Sequence, residues 1–146
     1  MLLKRIFCVT TYVTDDKNRF VLLLHRKLGK WVPPGGKIDP HETPKEAAIR
    51  ECYEETGLHV ELIGKTPRIE GVMMPPLGVQ LNTIIPGEQE HVDLIYRARS
   101  KGERHLTLAP REAKDIGWFS YQDVLELATF PSVVSWCKAI ALNESE

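Results

Sequence analysis

Cysteine is scarce in this chain and badly spaced for chemistry. There are three in 146 residues, Cys8, Cys52 and Cys137, with no Cys-x-x-Cys pair among them. That excludes a disulfide framework or a cysteine zinc site, and the three are expected as small buried apolar residues. Long apolar runs are missing too: no stretch approaches the ~18 residues of a membrane span. At the start, Met1-Leu2-Leu3-Lys4-Arg5, the following apolar run is broken by Thr10 and Thr11, which does not suit a secretory leader. A cytoplasmic protein with no membrane partner is expected. Neither sign of charge is in excess, with 19 Lys+Arg against 20 Asp+Glu and a formal net charge of -1. No specific nucleic-acid partner is expected from such a balance. No repeat, low-complexity tract or linker divides the chain, so a single domain over residues 1–146 is expected.

What is there reads as alternating strands and helices. Residues 3–13 and 20–24 are rich in β-branched and apolar side chains. Asp15 to Asn18 form a polar turn between them, which predicts a hairpin at the centre of a sheet. Pro33-Pro34-Gly35-Gly36 reads as a loop. Thr43, Pro44 and Glu46 make a capping box with proline at the first helical position, and Gly57 suits a left-handed stop, so a helix is expected over 44–56. Short strands are expected at 58–64 and 68–73. The Pro-, Gly- and Gln-containing stretch 74–90 reads as loop or irregular strand pair. From His91 to Arg99 the chain alternates, with Val92, Leu94, Tyr96 and Ala98 on one face. Residues 101–113 read as loop, 116–119 as strand, 121–128 as a helix capped by Ser120, and Pro131 opens a last helix. The sum is an α+β fold, an α/β/α sandwich whose mixed central sheet is flanked by helices.

One stretch carries chemistry, Gly36 to Leu58. Within it Glu51, Glu54 and Glu55 stand at i, i+3 and i+4, an arc of about 100° on one helix face. Ala47 and Ala48 share that side, while Ile49, Cys52, Tyr53 and Thr56 are expected against the sheet. Between residues 42 and 55 five glutamates meet only Lys45 and Arg50, a formal excess of three negative charges. Clustered carboxylates late in a helix oppose each other and the helix dipole, and a hard divalent cation would relieve both. A solvated acidic face accounts equally well for three glutamates taken alone.

The full spacing is more specific. Gly36, Glu42, Arg50, Glu51, Glu54, Glu55, Gly57 and Leu58 follow the signature Gly-x5-Glu-x7-Arg-Glu-U-x-Glu-Glu-x-Gly-U, where U is a bulky apolar residue. The chain therefore resembles the Nudix hydrolases (MutT-like). Cys52 fills the first U position and is smaller than usual. Trp31 to Gly36 and Trp118-Phe119 extend the likeness loosely. The resemblance implies the Nudix fold, a loop–helix–loop signature and Mg²⁺ as cofactor, with Mn²⁺ as a substitute. It implies Gly36, Glu51, Glu54 and Glu55 as metal ligands. A further glutamate from a late loop would join them, for which Glu112 is the candidate. Glu51 would also act as general base, with Arg50 and Glu54 completing the catalytic set. The implied reaction is water attack at phosphorus in a diphosphate linkage. Its substrate would be a small nucleoside diphosphate derivative, of nucleoside triphosphate or nucleotide sugar type. Homodimers are common among such proteins. The alternative is a catalytically silent nucleotide-binding regulatory module on the same fold.

Recognition of the group carried by the diphosphate must come from outside the signature. Arg5, Arg26 and Lys37, near the strands and the loop, are the candidates for substrate contact. Trp31, Phe7, Tyr12 and Tyr96 are candidates for stacking. Five histidines, including His41 and His91, show no metal spacing.

Overall fold

The computed structural model describes residues 2–142. Eight strands form one mixed sheet: β1 (Lys4–Thr14), β2 (Phe20–His25), β3 (Trp31–Val32), β4 (Gly35–Lys37), β5 (Val60–Ile63), β6 (Gly78–Ile85), β7 (Gln89–Ser100) and β8 (Ala113–Phe119). Among the described residues three helices accompany it: α1 (Pro44–Thr56), α2 (Tyr121–Val124) and α3 (Pro131–Leu142). Strands β1 and β7 run parallel over their whole length, from Lys4 opposite Gln89 to Thr14 opposite Arg99. Among the described residues every other strand-to-strand pairing is antiparallel, and an isolated parallel bridge joins Trp31 to Thr129. The expected α+β sandwich is therefore the fold.

The sheet is covered on both faces around the middle of β1 and β7. On one face α1 lays Ala47, Ala48 and Cys52 against Val9, Val13, Leu58, Val60, Tyr96 and Ala98. On the other, α2 and α3 pack Val124, Val133, Cys137 and Ile140 onto Tyr12, Phe20, Leu22 and Ile95. All three cysteines are free and buried. Helix α1 begins as its sequence dictates: Thr43 Oγ1 accepts from the Glu46 amide and the Glu46 carboxylate accepts from the Thr43 amide, a box worth about 1 kcal/mol. It ends at Gly57 with φ 77°. A side chain there would also run into Thr107.

The structure corrects the sequence reading at several places. The first two strands are antiparallel neighbours, as expected, but their hairpin is short. They pair only at Thr14 and Phe20. Beyond that point β1 takes β4 as its neighbour on that side. Gly35 and Gly36 are thus strand, not loop, and Pro34, which has no backbone donor, joins β1 only through its carbonyl, which accepts from the Thr11 amide at 3.0 Å. Residues 68–73 are not strand. Ile69 accepts from the Val72 amide in a turn whose Gly71 has φ 82°. Within 74–90, read as loop or irregular strand pair, residues 78–85 form a strand paired with β7, with an irregularity between Thr83 and Ile85. Its Gly78 and Pro86-Gly87 merely punctuate the ends. Strand β8 starts at Ala113, earlier than expected, and the helix capped by Ser120 stops at Val124.

Candidate active site

Helix α1 presents Glu55 to one rim of a cleft of about 430 Å³. Its floor is the α3-side face of β1, β7 and β6, contributing Cys8, Thr10, Asp93 and Gln80, and its rim includes Gly35, Gly36, Lys37, Glu55 and Glu112. Register explains why these groups meet. Thr10 lies opposite Gly35 on one side and Ile95 on the other, and Cys8 lies between Lys37 and Asp93.

Arg50 organises the carboxylates. Its Nε and Nη2 donate to Glu42 at 2.6 and 2.8 Å. Its Nη1 donates to Glu51 and to Glu54, each at 2.9 Å, and Nη2 also reaches the Lys37 carbonyl at 3.1 Å. Planar forks of this kind need arginine, since lysine offers a point charge. The hydrogen bonds from Arg50 hold Glu42 down at about 2. Glu55 is different. It is buried, and its Oε1 accepts from the Gly35 amide at 2.9 Å. Burial, with Glu51 and Glu112 nearby, pushes its carboxyl up to about 9. Burial also raises Glu51, which is hydrogen-bonded to Glu55 and to Arg50.

A buried carboxyl, Glu55, in contact with the partly buried Glu51, and a third, Glu112, nearby before β8, make an all-oxygen donor set short of positive charge. Such a set fits a hard divalent cation. Glu51, Glu54 and Glu55 would hold it with the Gly36 carbonyl, and Glu112 lines the same cleft. Asp39, His41 and Glu42 also bring ligand atoms within 4.8 Å of one another at the entry to α1. There Glu42 is already neutralised by Arg50. Histidine spacing alone gave no hint of this group, because the turn before Thr43 brings the three together.

The expected helix faces need revision. Ala47 and Ala48 are buried against the sheet and leave no open approach, and Glu55 shares their side. Glu54 is half exposed. Tyr53 is exposed and stacks on His59. Of the proposed substrate contacts, Lys37 lines the cleft. Arg5 pairs with Glu90 at 3.0 Å, and Arg26 donates to the Pro110 carbonyl at 2.8 Å. Neither arginine lies on the cleft wall. Tyr12 and Tyr96 are core residues, and Trp31 packs edge-on against Phe119.

The sequence profile of the NUDIX domain matches residues 4–135. The chain belongs to the Nudix family. A Mycobacterium tuberculosis protein named as a candidate 8-oxo-dGTP diphosphatase is 33% identical over 127 residues, covering 83% of this chain and 54% of that protein. The chain thus spans about half the length of this curated relative. Among solved structures, a Nudix-family hydrolase from Clostridium perfringens superposes with a TM-score of 0.79 at 27% identity, covering 96% of this chain and 99% of the other. A MutT protein from Methanosarcina mazei Go1 gives 0.72 at 20%, over 100% and 99% of the two chains, a likeness of fold. Among the described residues of this Nudix chain, no helix is long and apolar enough to cross a membrane.

Two cleft residues, Gln80 and Asp93, escaped the sequence reading, as did Asn82, which is hydrogen-bonded to both. On β6 the usual pattern is inverted. Val79 and Leu81 point outward and are exposed, while Gln80 and Asn82 turn inward. A polar-in strand looks like irregular loop to any reading that sorts faces by hydrophobicity.

Proposed function

We propose that this Nudix protein is a Mg²⁺-dependent pyrophosphohydrolase that cleaves the diphosphate linkage of a nucleoside diphosphate derivative, of nucleoside triphosphate or nucleotide sugar type. The carrying observation is the contact between the Glu51 and Glu55 carboxyls beside the Arg50 fork, at the rim of a cleft large enough for a nucleotide. A bound divalent cation would supply charge neutralisation of the phosphates and acidify a water. Mn²⁺ is the expected substitute.

The chain's own residues do the rest. Arg50 fixes Glu51 and Glu54 in one orientation, so no carboxylate has to be reorganised as charge develops. Glu51 is the proposed base: it takes a proton from the water that attacks phosphorus, and the other phosphate-bearing half departs. Lys37, exposed on the rim, places a cation beside the phosphates. The metal set proposed is Gly36, Glu51, Glu54, Glu55 and Glu112. The exposed row of Phe7 and Leu81, which flank Val92 on neighbouring strands, supports a homodimer. Sedimentation analysis of Phe7→Ser tests that part.

The test of the activity is release of pyrophosphate or monophosphate from a panel of 8-oxo-dGTP, ordinary nucleoside triphosphates, ADP-ribose, diadenosine polyphosphates and nucleotide sugars. It is run with Mg²⁺ and with EDTA. Turnover with Mg²⁺ only, lost in Glu55→Gln, is expected. No release from any compound, with binding retained, would instead favour the regulatory module.

A further inference from the structure

Asp93 is the least satisfied group in the cleft. It sits mid-strand on β7 at 8% exposure. Its Oδ2 is fully engaged, accepting from Thr10 Oγ1 at 2.7 Å and from Asn82 Nδ2 at 3.3 Å. Its Oδ1 is buried and has no hydrogen-bond partner among the described residues. A buried acceptor left unpaired is costly, and a sheet strand offers easy substitutes for an aspartate that has no further task.

The carboxylate is also held still. Trp136 Nε1, on α3, donates to Gln80 Oε1 at 2.7 Å. Gln80 Nε2 donates to Asn82 Oδ1 at 2.7 Å, and Asn82 passes its own donor to Asp93. This relay and Thr10 consume one oxygen and leave the other buried and unpaired in the wall of the cleft that Asp93 lines. The groups that hydrogen-bond to it, Thr10 and Asn82, are neutral, and a neutral N–H or O–H group of a ligand is the matching partner for the free oxygen.

The surroundings narrow the ligand. Phe130, at the start of α3, lines the same cleft with a partly exposed ring, which suits stacking on a flat heterocycle. Lys37 on β4 and Asp93 on β7 both register with Cys8, so two strand spacings, roughly 10 Å, separate the phosphate rim from the carboxylate. That span leaves room for a sugar between diphosphate and base. We propose that Asp93 is a specificity-determining residue that accepts hydrogen bonds from the edge of a nucleobase carrying adjacent N–H donors, a guanine-type purine with its ring N–H and exocyclic amino group. This rests on the nucleotide reading above and assigns the base subsite within it. Trp136, Gln80 and Asn82 are positioning residues that act through Asp93.

The experiment compares dGMP with dIMP, which differs from it only in lacking the amino group. Binding is measured by calorimetry in EDTA, and kcat/KM for dGTP and dITP is measured with Mg²⁺. The wild type is expected to favour the guanine compounds by about tenfold or more in both assays, the scale of one hydrogen bond to a charged group. In Asp93→Asn, which sets an amide donor against the base donors or turns its oxygen away, the preference is expected to fall to about twofold or less. Wild-type preference below about twofold, or an unchanged preference in Asp93→Asn, overturns the assignment. If Asp93→Asn does not fold, the wild-type comparison still decides. Phe130→Leu then serves as a second variant: it should weaken dGMP and dIMP alike and leave their ratio intact. Robust hydrolysis without base preference defeats the Asp93 assignment alone. Selective dGMP binding without hydrolysis defeats the hydrolase reading alone.

Discussion

Arg50 grips Glu42 through two parallel hydrogen bonds, Nε to Oε2 at 2.6 Å and Nη2 to Oε1 at 2.8 Å. The pair joins the turn before α1 to the middle of that helix, and the remaining Arg50 nitrogen holds Glu51 and Glu54. Folding of the signature loop and orientation of the proposed metal ligands thus depend on one guanidinium.

Replacing that fork should separate charge from geometry. Arg50→Lys keeps the charge but cannot bridge Glu42 and Glu51 at once. The expected cost is about 1.5–3 kcal/mol of stability, as for lost charge-assisted hydrogen bonds. Activity should fall by about 10–100-fold, the usual penalty for removing a group that orients metal ligands. Urea unfolding and kcat with Mg²⁺ check the two separately. A wild-type kcat in Arg50→Lys would refute the orienting role.

Glu42 supplies an acid-side prediction. Its folded carboxyl, held by Arg50 at about 2, lies below the ordinary value of 4.5. The folded state therefore releases this proton more readily than the unfolded chain does. The stabilisation is fully present above pH 4.5 and is lost as pH falls toward about 2. Glu42→Gln should be less stable than wild type at pH 6, with the difference shrinking across that window. Chemical denaturation at a series of pH values measures it. A constant difference would show that Glu42 acts through packing alone.

Much of this site was legible in the sequence because it lies on one helix. The capping box, the Gly57 stop and the carboxylate spacing are local, and 3.6-residue periodicity places Glu51, Glu54 and Glu55 without knowledge of the sheet. What escaped is non-local. Gly35–Lys37 became a strand because β1 parts from β2 and exposes its edge there. Arg5 and Arg26 looked like phosphate contacts by position in the chain, but each has a partner away from the cleft wall. Gln80 and Asn82 face inward because the cleft, not solvent, lies inside β6. No local pattern distinguishes those cases.

Glu55 makes an alkaline-side prediction for the metal-free protein. Burial raises its folded carboxyl to about 9 against an ordinary 4.5. Between those values the unfolded chain gives up the proton while the folded one retains it. The associated stability is whole below pH 4.5 and is lost as pH rises toward about 9. In EDTA, wild-type stability should decline through that range, and Glu55→Gln should flatten the decline. Adding Mg²⁺ to the wild type should reverse it, since a ligand at about 100 Kd stabilises by about 2.7 kcal/mol. The gain should grow with pH as the competing proton is lost. Thermal unfolding with and without Mg²⁺ at pH 6 and pH 9 is the measurement. Equal Mg²⁺ shifts in wild type and Glu55→Gln would remove Glu55 from the ligand set.

The two glycines of β4 should fail in different ways when each receives a methyl group. At Gly36 an added Cβ falls 2.5 Å from Glu51 Oε1 and 2.7 Å from its Cδ. The obstacle is the end of a flexible side chain, so the fold survives by moving the carboxylate. Displacement of a reacting group by about 1 Å costs about 100-fold in rate. Gly36→Ala should therefore lose about 10–100-fold in kcat while stability changes by less than about 1 kcal/mol. At Gly35 the added carbon falls on the Val9 carbonyl, part of the β1 backbone that pairs with β4. Backbone cannot turn aside, and overpacking of this kind costs about 1–3 kcal/mol. Gly35→Ala should unfold at lower urea than Gly36→Ala, and the order of the two midpoints is the deciding observation. The reverse order would mean that Glu51, not the β1 backbone, is the rigid partner at this rim.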